Sequence, residues 1–389
     1  MGKSLLYLLL VIVVGTATAA EPRARDLGIP FDGVPGALDA ITDVPGVTVG
    51  EVTLIKDLPD GHKVRTGVTA ILPRGRTSLN VPAFAAWFPM NGNGEMTGTT
   101  WLQGSGVLNG PVMLTNTLSV GTVRDATIAW CMHHRQNPPG TVGYCWSALP
   151  VVAETYDGYL NDVNGFHVVP ADAWRALDDA HGGPVAEGNV GGGTGMICYE
   201  FKCGTGTASR VVRIDGHAYS LGVLVQANFG LRRSLLIAGA PVGQYLTKDR
   251  VYSERNPKAR ERGSIIIVIA TDAPLLPDQL KRVAKRASEG LGRLGSYSGN
   301  GSGDIFLAFS TANAAALQNR PLQQASFVGN HYVDPLFEAT VQAVDESVVN
   351  AMVAARDMCG EDGHCAEAIP HAPLISLLKR FGRYAKPSN

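Results

Sequence analysis

Short apolar alternations recur along the first third of the chain. Val47–Val49 with Val52–Leu54, Gly67–Leu72, Val81–Met90 and Val112–Val120 are bounded by Gly, Asn and Pro, which predicts strands. The stretch before them, Arg23–Asp43, carries Pro30, Pro35 and Asp32-Gly33 and reads as loop. Apolar residues at three-to-four spacing predict helices over Thr122–His134 and Val151–Asn161. In Arg210–Gly230, "RVVRIDGHAYSLGVLVQANFG", two alternating runs meet at Asp215-Gly216, which predicts a hairpin. Pro277–Leu294 predicts a helix with Leu280, Val283, Ala284, Ala287 and Leu291 on one face. Ile305–Ser310 reads as a buried strand, and Pro335–Met358 as a second long helix. The sharpest change lies in "ARERGSIIIVIATDAPLLP", Ala259–Pro277, where a charged stretch gives way at Gly263-Ser264 to continuous β-branched hydrocarbon.

Strands and helices interleave without a regular βαβ alternation, and hairpins dominate the middle. That pattern favours a layered α+β sandwich over a doubly wound parallel sheet. There is no internal repeat. Leu246–Gly263, charged and poor in apolar residues, divides the chain into two segments without marking a domain boundary.

Composition narrows the class. Hydrophobic residues at 45% and charged residues at 17% fit a large folded core. A net charge of −1 gives no sign of nucleic acid or an anionic membrane as partner. Lys3, the apolar run Leu5–Val14 and the small residues Gly15–Ala20 predict a signal peptide over residues 1–20. The apolar run is too short to cross ~30 Å of hydrocarbon comfortably, so the expected mature protein is secreted or periplasmic. Cysteines at 131, 145, 198, 203, 359 and 365 fit an oxidising compartment, with Cys359/Cys365 and Cys198/Cys203 the plausible local pairs. Cys131-Met132-His133-His134 is a poor metal site, because adjacent histidines rarely share one ion and no CxxC accompanies them.

Familiar catalytic motifs are incomplete. Asn300-Gly301-Ser302-Gly303-Asp304 has Asn where a nucleophile elbow needs its first Gly. "GGGTG", Gly191–Gly195, lacks the Lys-Ser/Thr of a P-loop and the spacing of a dinucleotide fingerprint. The Gly263-Ser264 junction offers different chemistry. A serine opening a buried strand has its hydroxyl held by a rigid element. Were the preceding peptide bond cut, its α-amine, with an ordinary pKa near ~7.7–8.0, would stand beside that hydroxyl as a general base. Gly263 suits the preceding position because it lacks a Cβ.

"GSIIIVIATDAPLLPDQLKRVAKRASEGLGRLGSYSGNGSGDIFLAFSTAN" resembles the segment around the cleavage site of the DmpA-type L-aminopeptidase/D-amidase/D-esterase family, peptidase family S58, which includes the β-aminopeptidases. "RARDLGIPFDG", "AITDVPGVTVG", "GVTAILPRG", "VVAETYDGYLNDVNGFHV", "EGNVGGGTGM" and "GVLVQANFG" resemble it too, so the likeness spans nearly the whole mature chain. It implies a precursor that cuts itself before a serine, and a four-layer αββα sandwich of the self-cleaving N-terminal-nucleophile type, shared with ornithine acetyltransferases. The implied α chain is 21–263 and the β chain 264–389, both in one catalytic domain and assembled into a homotetramer.

Carried onto this sequence, the resemblance places the cut at Gly263–Ser264 and makes Ser264 the nucleophile. Ser302 and Asp304 match a Ser-x-carboxylate pair, in which some relatives carry Glu. Glu154 matches the carboxylate that holds a substrate's free amine, and Tyr156 and Asn228 match oxyanion donors; Asn116 and Trp146 are looser pocket candidates. Implied substrates are short peptides, amides or esters with a free N-terminal amine, of L-, D- or β-amino residues, with no metal or organic cofactor. Two other readings share features: an acyltransferase of the ornithine acetyltransferase type, and an uncleaved periplasmic binding protein using Gly191–Gly195.

Overall fold

The computed structural model describes residues 21–134, 149–253, 260–317 and 321–386. The expected signal segment, Cys145 and Trp146 lie outside the described residues. The strands are β1 (Thr48–Asp57), β2 (Lys63–Leu72), β3 (Ala83–Pro89), β4 (Val107–Leu108), β5 (Val112–Asn116), β6 (Val151–Thr155), β7 (Ile197–Cys198), β8 (Phe201–Lys202), β9 (Thr205–Ile214), β10 (His217–Asn228), β11 (Arg262–Thr271), β12 (Gly301–Ser310), β13 (Met358–Cys359) and β14 (Cys365–Ala366). The helices are α1 (Thr99–Ser105), α2 (Val120–His133), α3 (Pro170–Asp178), α4 (Pro277–Lys285), α5 (Ala287–Arg293), α6 (Asp334–Val353) and α7 (His371–Arg380).

Two sheets carry the fold, in the orders β1-β2-β5-β6 and β4-β3-β12-β11-β10-β9. They face each other through Ile71, Leu114 and Ala153 on one side and Leu224, Ile266, Val268 and Leu307 on the other. Helices α2 and α3 cover the outer face of the four-stranded sheet, where Val123, Trp130 and Leu177 meet Val68, Met113 and Val152. Helices α4–α7 cover the larger sheet, with Leu280, Leu291, Val344, Val348 and Leu374 in one core with Ile265, Ile267 and Phe306. The layers therefore run helix, sheet, sheet, helix, the αββα sandwich expected from the sequence.

Burial on both faces explains why β11 reads as unbroken hydrocarbon. Its residues alternate between two dry cores, so no polar face interrupts the run. The same effect misleads the reading of Val151–Asn161. Val151–Thr155 is a strand buried on both sides, and the chain after it turns instead of coiling into a helix. With no polar alternation, a short apolar run does not distinguish strand from helix. The expected helix Pro277–Leu294 is two helices meeting at Arg286, and α6 ends at Val353, before Met358 enters β13. Both expected local disulfides form, Cys198–Cys203 with Cα atoms 5.3 Å apart and Cys359–Cys365 at 4.0 Å.

Candidate active site

Ser264 lies at the start of β11, almost fully buried, opposite Asn228 of β10 and beside Gly303 of β12. Strand alternation fixes its direction. Ile266, Val268 and Ala270 face the inter-sheet core, so Ser264 opens onto the same inter-sheet space. Its hydroxyl donates to the carbonyl oxygen of Gly263 at 2.6 Å, which places Oγ against the peptide group that precedes it. Gly263 adopts φ +123°, and a Cβ there would collide with the Asn228 carbonyl oxygen. Only glycine meets both demands without strain.

Asn228 presents its amide on the same face as the Ser264 side chain. Nδ2 donates to the Tyr156 carbonyl at 2.8 Å, and Oδ1 accepts from the Ile197 N–H at 2.9 Å. The amide is thereby fixed in orientation, and Nδ2 keeps a second N–H for another acceptor. Tyr156 follows directly on β6. Its side chain is half-exposed, and the hydroxyl lies over Gly158, where a Cβ would collide with it. Glu154 and Tyr156 were expected at a helix end; they stand at the end of a strand.

Glu154 is buried, and Thr117 Oγ1 and the Glu95 N–H (2.9 Å) donate to its carboxylate. Burial pushes its carboxyl above the ordinary range, and the Thr117 and Glu95 bonds oppose that shift. Gly94 connects it to β12, the strand beside the one that Ser264 opens. A Cβ on Gly94 would stand 3.3 Å from Glu154 Oε1 and 3.2 Å from Gly303 Cα, and Gly303 is the register partner of Ser264.

Ser302 and Asp304 share the parity of Phe306 and Ala308, which face the helices, so this pair sits behind the sheet rather than in the inter-sheet space. Ser302 Oγ donates to Asp304 Oδ1 at 2.6 Å. Burial raises the Asp304 carboxyl, while the bond from Ser302 lowers it. The second Asp304 oxygen is buried without a partner. Ser302 is paired with Asp304, and Ser264 with its own preceding carbonyl, so in the uncut chain these two serines are each engaged elsewhere.

Sequence reading missed Thr117 and the Asn93–Glu95 loop. An isolated Thr after a strand and a "NGNGE" turn carry no chemical signature of their own; only the fold brings them to Glu154. Asn116 is buried and serves the backbone: it caps the turn at Thr117–Ser119 through the Ser119 N–H and donates to Thr66 and Asp157. The Gly191–Gly195 turn is not an open anion cradle. The N–H groups of Gly191 and Gly192 donate to Thr53 and Thr69. The glycines serve close packing, since a Cβ at 192 would collide with Gln226 and one at 193 with the Thr205 N–H.

A buried serine opening a central strand of an αββα sandwich, with an amide and a carboxylate converging near it, defines the N-terminal-nucleophile hydrolase class. The L-aminopeptidase/D-Ala-esterase/amidase of Ochrobactrum anthropi, described as a variant of that fold and a prototype of the serine aminopeptidases, superposes with a TM-score of 0.87. It is 48% identical, over 94% of this chain and 100% of that one. A Burkholderia β-aminopeptidase superposes at 0.84 with 46% identity, over 93% and 99% of the two chains. The β-peptidyl aminopeptidase BapA of Sphingosinicella microcystinivorans is 52% identical over 96% of each chain. The model of peptidase family S58 matches residues 39–366, and the chain belongs to that family of serine aminopeptidases.

Proposed function

We propose that the chain cuts itself between Gly263 and Ser264 and that Ser264 is the nucleophile of both the cut and the later turnover. The 2.6 Å hydrogen bond from Ser264 Oγ to the Gly263 carbonyl oxygen carries this reading, because it holds the attacking hydroxyl beside the peptide group to be cut. Oγ adds to the Gly263 carbonyl carbon, the C–N bond breaks, and the nitrogen leaves as the Ser264 amine. Water then hydrolyses the resulting ester, giving the Gly263 carboxylate and restoring the hydroxyl.

In the cut enzyme the freed amine acts as general base for the hydroxyl on the same residue. Oγ attacks the carbonyl carbon of the substrate's N-terminal residue, with the oxyanion held by the spare Asn228 N–H and by Tyr156. The C–N or C–O bond breaks, the amine or alcohol leaves with the proton taken from Oγ, and water hydrolyses the acyl-enzyme to release the residue and restore the hydroxyl. Asp304, through Ser302, carries the charge that favours the Ser264 ammonium. Glu154 receives the substrate's own ammonium, which accounts for a requirement for a free N-terminus. Its buried carboxylate is well suited to this, since a cation entering that space relieves the cost of its burial.

Substrates in this reading are short peptides, amides and esters; the β-peptidyl relatives make β-amino acid amides the first to assay beside L- and D-alanyl amides. The signal-like N-terminus supports export to the periplasm, and exposed Leu322, Phe327 and Tyr332 support burial in a homotetramer of αβ protomers. Intact-mass analysis of the purified protein tests the central point: two chains are expected, the second starting at Ser264. A single uncut chain with full aminopeptidase activity overturns it.

A further inference from the structure

Glu261 stands three residues before Ser264, yet it is only 3% exposed. A buried carboxylate is costly unless it is held, and this one is. Ser296 Oγ donates to its Oε1 at 2.7 Å, and its backbone N–H donates to the Tyr297 hydroxyl at 3.3 Å. Gly299 packs on it so closely that a Cβ there would stand 2.8 Å from Glu261 Cβ.

The loop that holds Glu261 also holds Asp304. The Ser298 N–H donates to Ser296 Oγ at 3.1 Å, and the Gly299 carbonyl accepts from the N–H of Ser302, the residue bonded to Asp304, at 2.8 Å. Residues 296–299 therefore link two buried carboxylates, Glu261 upstream of the Gly263–Ser264 bond and, through Ser302, Asp304 beside it downstream. Tyr199 belongs to the same space: its hydroxyl is buried without a partner, and burial and the charges of Glu261, Asp345 and Asp304 push its phenol up. Burial, and then the Asp304 charge, also raises the Glu261 carboxyl.

We propose that Glu261 is a positioning residue for self-cleavage alone. Through Ser296 it clamps residues 261–263 in register, so that Gly263 keeps its carbonyl on Ser264 Oγ until the bond breaks. The cut then adds a Gly263 carboxylate to a space that already holds Asp304 and Glu261. Like charges in a shared low-dielectric site do not all ionise there, so the new chain end withdraws and takes Glu261 with it. The mature site keeps Asp304 and loses the clamp.

This inference rests on the proposed cut at Ser264, and the test separates the two. Wild type, Ser264→Ala, Glu261→Gln and Ser296→Ala are purified and followed by denaturing gel and intact mass over time. Wild type is expected to convert to two chains and Ser264→Ala to remain single; an uncut wild type removes both readings. Glu261→Gln is expected to convert at least tenfold more slowly, and Ser296→Ala to slow in the same direction. Once converted, Glu261→Gln is expected to turn over an alanyl amide with unchanged kcat and KM. If it never converts, a melting temperature equal to that of Ser264→Ala supports the clamp, and a lower one overturns it. Conversion at the wild-type rate, or an equal loss in conversion and turnover, also overturns it while leaving the Ser264 reading intact.

Discussion

Asn228 and Ser264 are direct register partners across the antiparallel β10–β11 pair, so amide and hydroxyl leave the sheet on one face. Asn228→Ala removes the spare N–H donor and is expected to lower kcat about 10²-fold, the scale of one lost oxyanion donor. It also strips partners from the Tyr156 carbonyl and the Ile197 N–H, so the melting temperature falls as well. Steady-state kinetics on an alanyl amide, with calorimetry, checks both. Unchanged kcat in a folded variant removes Asn228 from the oxyanion site.

Gly263→Ala places a Cβ against the Asn228 carbonyl oxygen at a φ of +123°. Strain of this kind costs about 1–3 kcal/mol, and relief requires the Gly263 carbonyl to move from Ser264 Oγ. Conversion to two chains is expected to slow about tenfold or more while far-UV circular dichroism is unchanged. Densitometry of the precursor band measures it.

A carboxyl holds an ammonium only when ionised, and burial raises that of Glu154, the proposed anchor of the substrate's amine. KM is therefore expected to rise as pH falls through that raised value. Thr117→Val deletes a hydrogen bond that favours the ionised form, so the acid limb of kcat/KM shifts to higher pH. Glu154→Gln is expected to lower kcat/KM roughly 10- to 100-fold, from ~1.5–3 kcal/mol for a bond to a charged group. A pH profile for the three proteins tests the ordering.

Glu51 supplies a stability prediction. Burial, and then the Glu187 charge, push its carboxyl up to about 8, from an ordinary 4.5. The folded chain thus retains a proton that the unfolded chain gives up. Its contribution is full below about pH 4.5 and is lost as pH rises through about 8. Asp157 and Asp345, each raised to about 6, act in the same direction. The melting temperature is expected to fall from pH 5 to pH 8. Glu51→Gln, which stays uncharged at every pH, should raise it at pH 8 and leave it nearly unchanged at pH 5.

The sandwich was legible because its longest strands announce themselves. β11 and the Asp215-Gly216 hairpin need no tertiary knowledge to be read. Glu154 was legible only through resemblance, since five successive buried residues in β6 show no period. The back-to-back placement of Ser264 and Asp304 on opposite faces was not legible at all. It follows from a parallel register in which Ser264 meets Gly303 rather than Asp304, and no local pattern encodes an inter-strand register. Thr117 and Glu261 were invisible for a related reason: their partners lie 37 and 35 residues away in the chain.

The order of strands in the larger sheet has a final consequence. β11 lies between β10 and β12, and β12 in turn pairs with β3, so the segment after Ser264 is threaded into the middle of a sheet built largely from the segment before it. A chain cut at Ser264 holds together without its covalent link, yet its route back is different. Before the cut, folding is a one-molecule event. Afterwards two fragments must find each other, and each exposes bare central strand edges while it searches. On the proposed cut, maturation trades reversibility for a catalytic terminus: such an enzyme folds once, and its working lifetime is set by how slowly it comes apart.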